Sequence, residues 1–260
     1  MARRVLAVAA HPDDIEFMMA GTLILLGTQG YEAHLLTVAD GCCGSVEMDA
    51  DTTAAVRRRE AGDAAAVIGA THHPGWCHDL EVVYSRENLA RLAAVVREIQ
   101  PEIVLTQSLS EYMEDHMNTT RLALTAAFAR GMPNFTTEPD KPAYPDPVAV
   151  YHALPYGLRD PLGEPVHAAF YTDVGNVLAT KREMLACHRS QKEWLDVSQG
   201  LDAYLETMES MARDMGRRSG RFEYAEGWTQ HLPLGYGPED WDPLTAVLAA
   251  HCTAPARPRP

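Results

Sequence analysis

The chain has 260 residues, 46% of them hydrophobic and 22% charged, and 36 Asp and Glu against 22 Lys and Arg give a formal net charge of −14. A chain of this size can bury a full core, and its acidity argues against nucleic acid or an anionic membrane as a partner, since both need clustered Lys and Arg. No apolar run reaches the roughly 18 residues that a membrane-spanning helix requires.

Residues 5–10, VLAVAA, read as a buried strand. Arg3 and Arg4 before them resemble the start of a secretory leader, but the apolar run is short and passes directly into His11-Pro12-Asp13-Asp14. Residues 15–28 form a mostly apolar helix ending near Gly30, and 33–39 form the next strand, closed by Asp40-Gly41. Thr52 and Thr53 are expected to cap a long helix that stops at Gly69, and Ser85 to cap another that Pro101 ends. A strand follows at 102–107 and a helix at about 118–130. This alternation predicts a parallel sheet flanked by helices.

Residues 133–165 then carry eight prolines and read as a long loop around one strand at 148–154. A further strand is expected at 167–174, helices near 176–194 and 199–217, and a flexible tail over 254–260. The segments 222–232 and 238–244 mix aromatics with acids, and packing on the sheet is their default role. The five cysteines, at 42, 43, 77, 187 and 252, are odd in number and follow no disulfide or CxxC pattern, which fits reduced thiols in a cytosolic protein. Adjacent Cys42 and Cys43 suggest apolar packing, because neighbouring cysteines are poorly placed to share an ion.

The segment VLAVAA-HPDD-IEFMMAG puts His11, Asp13 and Asp14 at the carboxyl end of the first strand, where open α/β sheets bind ligands. Two carboxylates and an imidazole there would repel one another less around a divalent cation. The plainer alternative is that an Asp before a helix is an N-cap. A second segment, EYMEDHMNTT at 111–120, also follows a strand, so His116 could join His11 and Asp14 as an open, catalytic type of zinc site. His72, His73 and His78 could form another metal cluster, although solvated histidines are the simpler reading, and Asp79 is expected to face the cleft.

These motifs resemble the LmbE-like, PIG-L superfamily of zinc-dependent N-acetylglucosaminyl deacetylases and related amidases. The resemblance is carried by Ala10-His11-Pro12-Asp13-Asp14, Gly21-Thr22-Leu23, Asp40-Gly41 with Gly44, Arg57-x-x-Glu60 and Asp115-His116, and is strongest over residues 4–130. It implies a Rossmann-like three-layer αβα sandwich with a mostly parallel sheet and a C-terminal α-rich extension, in one domain over 1–253. It implies one Zn2+ per chain on His11, Asp14 and His116, with Asp13 as the general base toward metal-activated water. Arg57, Asp115, Met113 and Tyr112 are placed around the substrate, an N-acetylated amino sugar or its conjugate. Asp115 would also orient a ligand, and Arg57 is equally readable as a helix-surface charge. A cytoplasmic homo-oligomer is the accompanying expectation.

One departure is evident. Met113 stands where many members carry an oxyanion-stabilising histidine, and methionine cannot donate that hydrogen bond. Tyr112, His152, Tyr156 and His167 are the candidate replacements. Amidase action on a sugar-linked thiol conjugate and an inactive sugar-binding homologue remain as alternatives. A Rossmann nucleotide-binding module is disfavoured, because HPDD stands where G-x-G-x-x-G would be needed.

Overall fold

Strand β1 (Arg3–Ala9) is fully buried from Val5 onward and lies between β2 (Tyr31–Thr37) and β4 (Ile103–Thr106), with Val5 opposite both Ala33 and Ile103. The computed structural model describes residues 2–191 and 203–253. Its sheet has seven strands in the order β3-β2-β1-β4-β5-β7-β6, completed by β3 (Thr71–His73), β5 (Ala149–Ala153), β6 (Phe170–Asp173) and β7 (Ala225–Gln230). The first five are parallel, and β7 runs antiparallel to both of its neighbours.

Alternation along β1 explains the layers. Val5, Ala7 and Ala9 point into one core and Leu6 and Val8 into the other. The first core packs α1 (Asp14–Met18), α2 (Ala20–Thr28), α3 (Ala50–Val67), α6 (Leu178–Ala186) and α7 (Ala203–Ser219) through residues such as Leu23, Ala64, Met184 and Met208. The second packs α4 (Arg86–Ile99) and α5 (Glu114–Phe128) through Leu92, Val96, Leu122 and Ala126. A short α8 (Pro243–Val247) follows β7. This is a Rossmann-like α/β sandwich, whose C-terminal part adds two strands as well as helices.

Several elements depart from expectation for local reasons. The helix expected over 15–28 breaks at Met19, which has φ −132° and ψ −19°. The restart is held from afar: the backbone N–H groups of Gly21 and Thr22 donate to Glu226 of β7 at 2.8 and 2.7 Å. A Cβ at Gly21 would lie 2.5 Å from Val174 Cγ1, so this contact needs glycine. The α3 cap is Asp49, which accepts from Thr52 N at 2.8 Å, and not Thr52 or Thr53. Ser85 caps α4 as expected, accepting from Asn88 N at 3.1 Å. Helix α5 starts at Glu114, four residues early, with Glu114 and Asp115 in the first turn where the helix dipole favours acids. Segment 222–232 supplies β7, a strand that its Glu and Gly disguise. Parts of the helices expected near 176–194 and 199–217, and the tail 254–260, lie outside the described residues.

Candidate metal centre

The strand order reverses between β1 and β4, so the loops leaving their carboxyl ends diverge to open a crevice. The β1 loop is tied across it: Ala10 N donates to Gln107 Oε1 at 2.9 Å, and His11 N donates to Asp14 Oδ2 at 2.8 Å. Asp13 occupies the N-cap position of α1, but its carboxylate makes no capping hydrogen bond. Its backbone is instead held at φ 110°, an unfavourable region for a non-glycine residue that costs about 1–3 kcal/mol. That turn lets two consecutive aspartates serve different partners.

His116, in the first turn of α5, brings Nε2 to 3.3 Å from His11 Nδ1 and 3.4 Å from Asp14 Oδ2, and His11 Nδ1 is 3.5 Å from that same oxygen. For metal–ligand bonds of 2.0–2.1 Å, a tetrahedron has edges of about 3.3–3.4 Å. The donor chemistry agrees with this spacing. His11 Nε2 lies 3.0 Å from Asp115 Oδ2, which holds the proton on Nε2 and turns the Nδ1 lone pair inward. His116 Nδ1 faces Glu111 Oε2 at 3.3 Å, with the same consequence. Two imidazole lone pairs and a carboxylate oxygen therefore converge, as a divalent cation requires. In the metal-free protein, burial disfavours charge on His11, but Asp115 and Asp14 outweigh it and raise its pKa to about 10. Uptake of an ion on Nδ1 would have to release that proton, so affinity for a metal is expected to rise with pH.

Asp115 does not touch the cleft. It is buried behind His11 and accepts from Leu80 N at 2.7 Å, a position suited to orienting the His11 ring and set back from the residues that line the cleft. Asp115→Asn is expected to weaken metal affinity by about 10–100-fold. Competition against a chromogenic chelator measures this, and an unchanged affinity would show that Asp115 does not set the His11 ring.

Asp13 Oδ2 accepts from Tyr204 Oη at 2.7 Å and lies 3.3 Å from Arg57 Nη2. Arg57 is buried, not a surface charge; its guanidinium also donates to the carbonyls of Pro12 and Gly41. The Asp40-Gly41-x-x-Gly44 pattern is its cradle. A Cβ on Gly41, at φ +78°, would lie 2.6 Å from Arg57 Nη1, and one on Gly44 would lie 2.8 Å from the same atom. Burial raises the Asp13 pKa, and the repulsion from Asp14 adds to it; Arg57 opposes both without cancelling them. A carboxylate with a raised pKa, fixed by a cation and a hydroxyl, is a better proton acceptor than an exposed aspartate.

These groups open onto a cleft of about 750 Å³. Tyr112, Met113 and Tyr156 line it, and the Tyr112 ring packs edge-on against His116 with centroids 5.5 Å apart. His152 is excluded as an oxyanion donor: it is buried against Gln107 O and His231, and burial lowers its pKa to about 4. His167 is also absent from the described lining, which leaves the Tyr112 and Tyr156 hydroxyls. Asp79 does reach the cleft, while His73 pairs with His34 and exposed His78 with Asp40, so these histidines form no common cluster. Sequence reasoning missed Tyr204 and Gln191, both on the cleft, and the role of Glu111, which also accepts from Tyr156 N at 3.0 Å.

The family model described as PIG-L, GlcNAc-PI de-N-acetylase, matches residues 6–127, a span that holds the three donors, Asp13 and Arg57. The diacetylchitobiose deacetylase of Thermococcus kodakarensis is 29% identical over 231 residues, covering 86% of this chain and 82% of that protein. The 4-oxalmesaconate hydratase of Pseudomonas putida is 33% identical over 132 residues, 48% of this chain and 51% of that protein. Among solved structures, the 4-carboxy-2-hydroxymuconate hydratase from Pseudomonas putida KT2440 superposes with a TM-score of 0.73 at 25% identity, covering 89% of this chain and 97% of that one. Motif and fold converge with these similarities: the chain resembles the LmbE-like, PIG-L superfamily, most directly over residues 6–127.

Proposed function

We propose that the protein is a metal-dependent hydrolase that removes the N-acetyl group from an amino sugar or its conjugate. The observation that carries this reading is the triangle of His11, Asp14 and His116 donors, 3.3–3.5 Å on a side, beside an Asp13 anchored by Arg57. These three residues would hold one divalent ion, and their two-imidazole, one-carboxylate set suits Zn2+. When bound, the ion supplies Lewis acidity toward the acyl oxygen and makes water acidic enough to attack near neutral pH.

The protein's residues supply the rest. Arg57 and Tyr204 both engage Asp13 Oδ2, which leaves Oδ1 to take the proton from the attacking water and return it to the departing amine. Arg57 then acts through Asp13 more than through the substrate. Tyr112 and Tyr156 offer hydroxyl donors to the oxyanion where Met113 cannot, and Met113 gives the cleft an apolar contact.

The two hydratase similarities raise a second reading, in which the same groups add water to a carboxylated diene. Charge in the cleft weighs against it. Asp13, Asp14, Asp79 and Asp160 line the described cleft against Arg57 and Arg159, and Arg57 is already engaged by Asp13. With the ion's charge included this lining is close to neutral, but Arg159 is then the one arginine among its described residues not paired with a carboxylate, which favours a neutral amide over a polycarboxylate. Zinc-loaded protein should release acetate and a free amine from N-acetylglucosamine conjugates or diacetylchitobiose. Release of a larger acyl fragment from a thiol conjugate would redirect the reading to an amidase, and binding without turnover to an inactive homologue. Hydration of a carboxymuconate without amide cleavage would overturn it. Among the described residues, no helix is long and apolar enough to cross a membrane.

A further inference from the structure

The loop after β2 and the loop before α4 gather Asp40, Cys42, Cys43, His78 and Asp79, of which Cys43 and Asp79 reach the cleft. Adjacent cysteines are poorly placed to share an ion on sequence grounds, but the Sγ atoms of Cys42 and Cys43 lie 3.9 Å apart. For Zn–S bonds of 2.3 Å, the edge of a tetrahedron is about 3.8 Å. One ligand atom each from Cys42, Cys43 and Asp79 all fall within 4.8 Å of one another.

The loop is held in this shape by its own backbone. Asp79 Oδ1 accepts from Gly41 N at 2.8 Å and Oδ2 from Cys43 N at 2.9 Å, while Asp40 Oδ1 accepts from Cys42 N at 3.0 Å. Each Asp79 oxygen keeps a second lone pair for an ion. The alternative face, made by Asp40, Cys42 and His78, is already closed by the 2.8 Å contact between His78 Nδ1 and Asp40 Oδ2. We propose that Cys42, Cys43 and Asp79 form a second metal site, separate from the His11–Asp14–His116 centre, that takes a thiophilic divalent ion such as Cd2+ or Zn2+. Binding releases one proton from each thiol to solvent and leaves a complex of two thiolates, one carboxylate and the ion, with net charge −1.

Cys43 and Asp79 line the cleft, and Asp79 Oδ1 is 4.0 Å from His11 Nε2. An ion held there narrows the approach to the centre, so excess metal inhibits turnover. The binding claim is independent of the proposed hydrolysis; the inhibition claim rests on it.

Titration of the metal-free full chain with Cd2+, following the ultraviolet thiolate-to-cadmium band and the ions retained on dialysis, tests the site. Wild type should retain two ions per chain and show the band. Cys42→Ser with Cys43→Ser should lose the band and one ion, and Asp14→Asn should keep the band. If the double variant fails to fold, exposed Cys43→Ser alone should still weaken cadmium binding and reduce the band. Cys77→Ser, Cys187→Ser and Cys252→Ser variants should each keep it. A wild type with no band at stoichiometric Cd2+, or a band that survives in the folded double variant, overturns the proposal. Failure of hydrolysis with the band intact would overturn the function and leave this site standing.

Discussion

Asp13→Asn should lower kcat by about 10²–10⁴-fold with zinc still bound and the fold intact. Asparagine keeps the size of the side chain and an oxygen for the Tyr204 hydroxyl, but it cannot accept the proton of the attacking water. The donors on His11, Asp14 and His116 are untouched, so metal content separates this outcome from loss of the ion. The wild-type pH profile carries the same signature. Burial and Asp14 raise the Asp13 pKa, so its base form is lost at a higher pH than an exposed aspartate's would be. Activity should fall as pH drops through that raised value, and the acidic limb should disappear from the residual activity of Asp13→Asn. A variant with wild-type kcat would assign the proton transfer elsewhere.

The second large effect concerns stability. Lys181 Nζ lies 2.6 Å from Glu226 Oε1, both side chains are 0% exposed, and Glu226 also holds the first amides of α2. Lys181→Met should destabilise the protein by about 3–5 kcal/mol, because it leaves a buried carboxylate without its counter-charge. That is a large share of the roughly 5–15 kcal/mol that holds a typical domain folded. Urea unfolding followed by circular dichroism measures the loss. Adding Glu226→Gln should recover part of it by removing the orphaned charge, and a double variant as unstable as Lys181→Met would show that lost packing dominates instead.

The proposed metal donors were legible because they sit in short motifs that a parallel sheet must bring together: β1 and β4 are neighbours, and His11 and His116 follow their ends. The partners of those donors were less legible. Asp115 lies beside His116 in sequence, yet it packs behind His11 and not among the residues lining the cleft, a matter of helix phase that adjacency does not fix. Arg57 sits in a run of three arginines, and nothing local marks which one is buried; two glycines 13 and 16 residues earlier make its space. The break at Met19 and the Tyr204 contact depend on residues about 190–205 positions away, beyond the reach of any periodicity. Strand β7 was obscured because its interior Glu226 serves a buried ion pair, contrary to the usual composition of a strand.

Tyr204 also has a consequence for biosynthesis. A growing chain contains all three proposed metal donors once residue 116 has been made, yet the hydroxyl that secures Asp13 is encoded almost ninety residues later, and β7 later still. Translation at about 5–20 residues per second separates these events by several seconds. On the proposed function, the nascent chain therefore holds every metal ligand before it holds the contact that secures its base, so the capacity to bind the ion would precede catalytic competence.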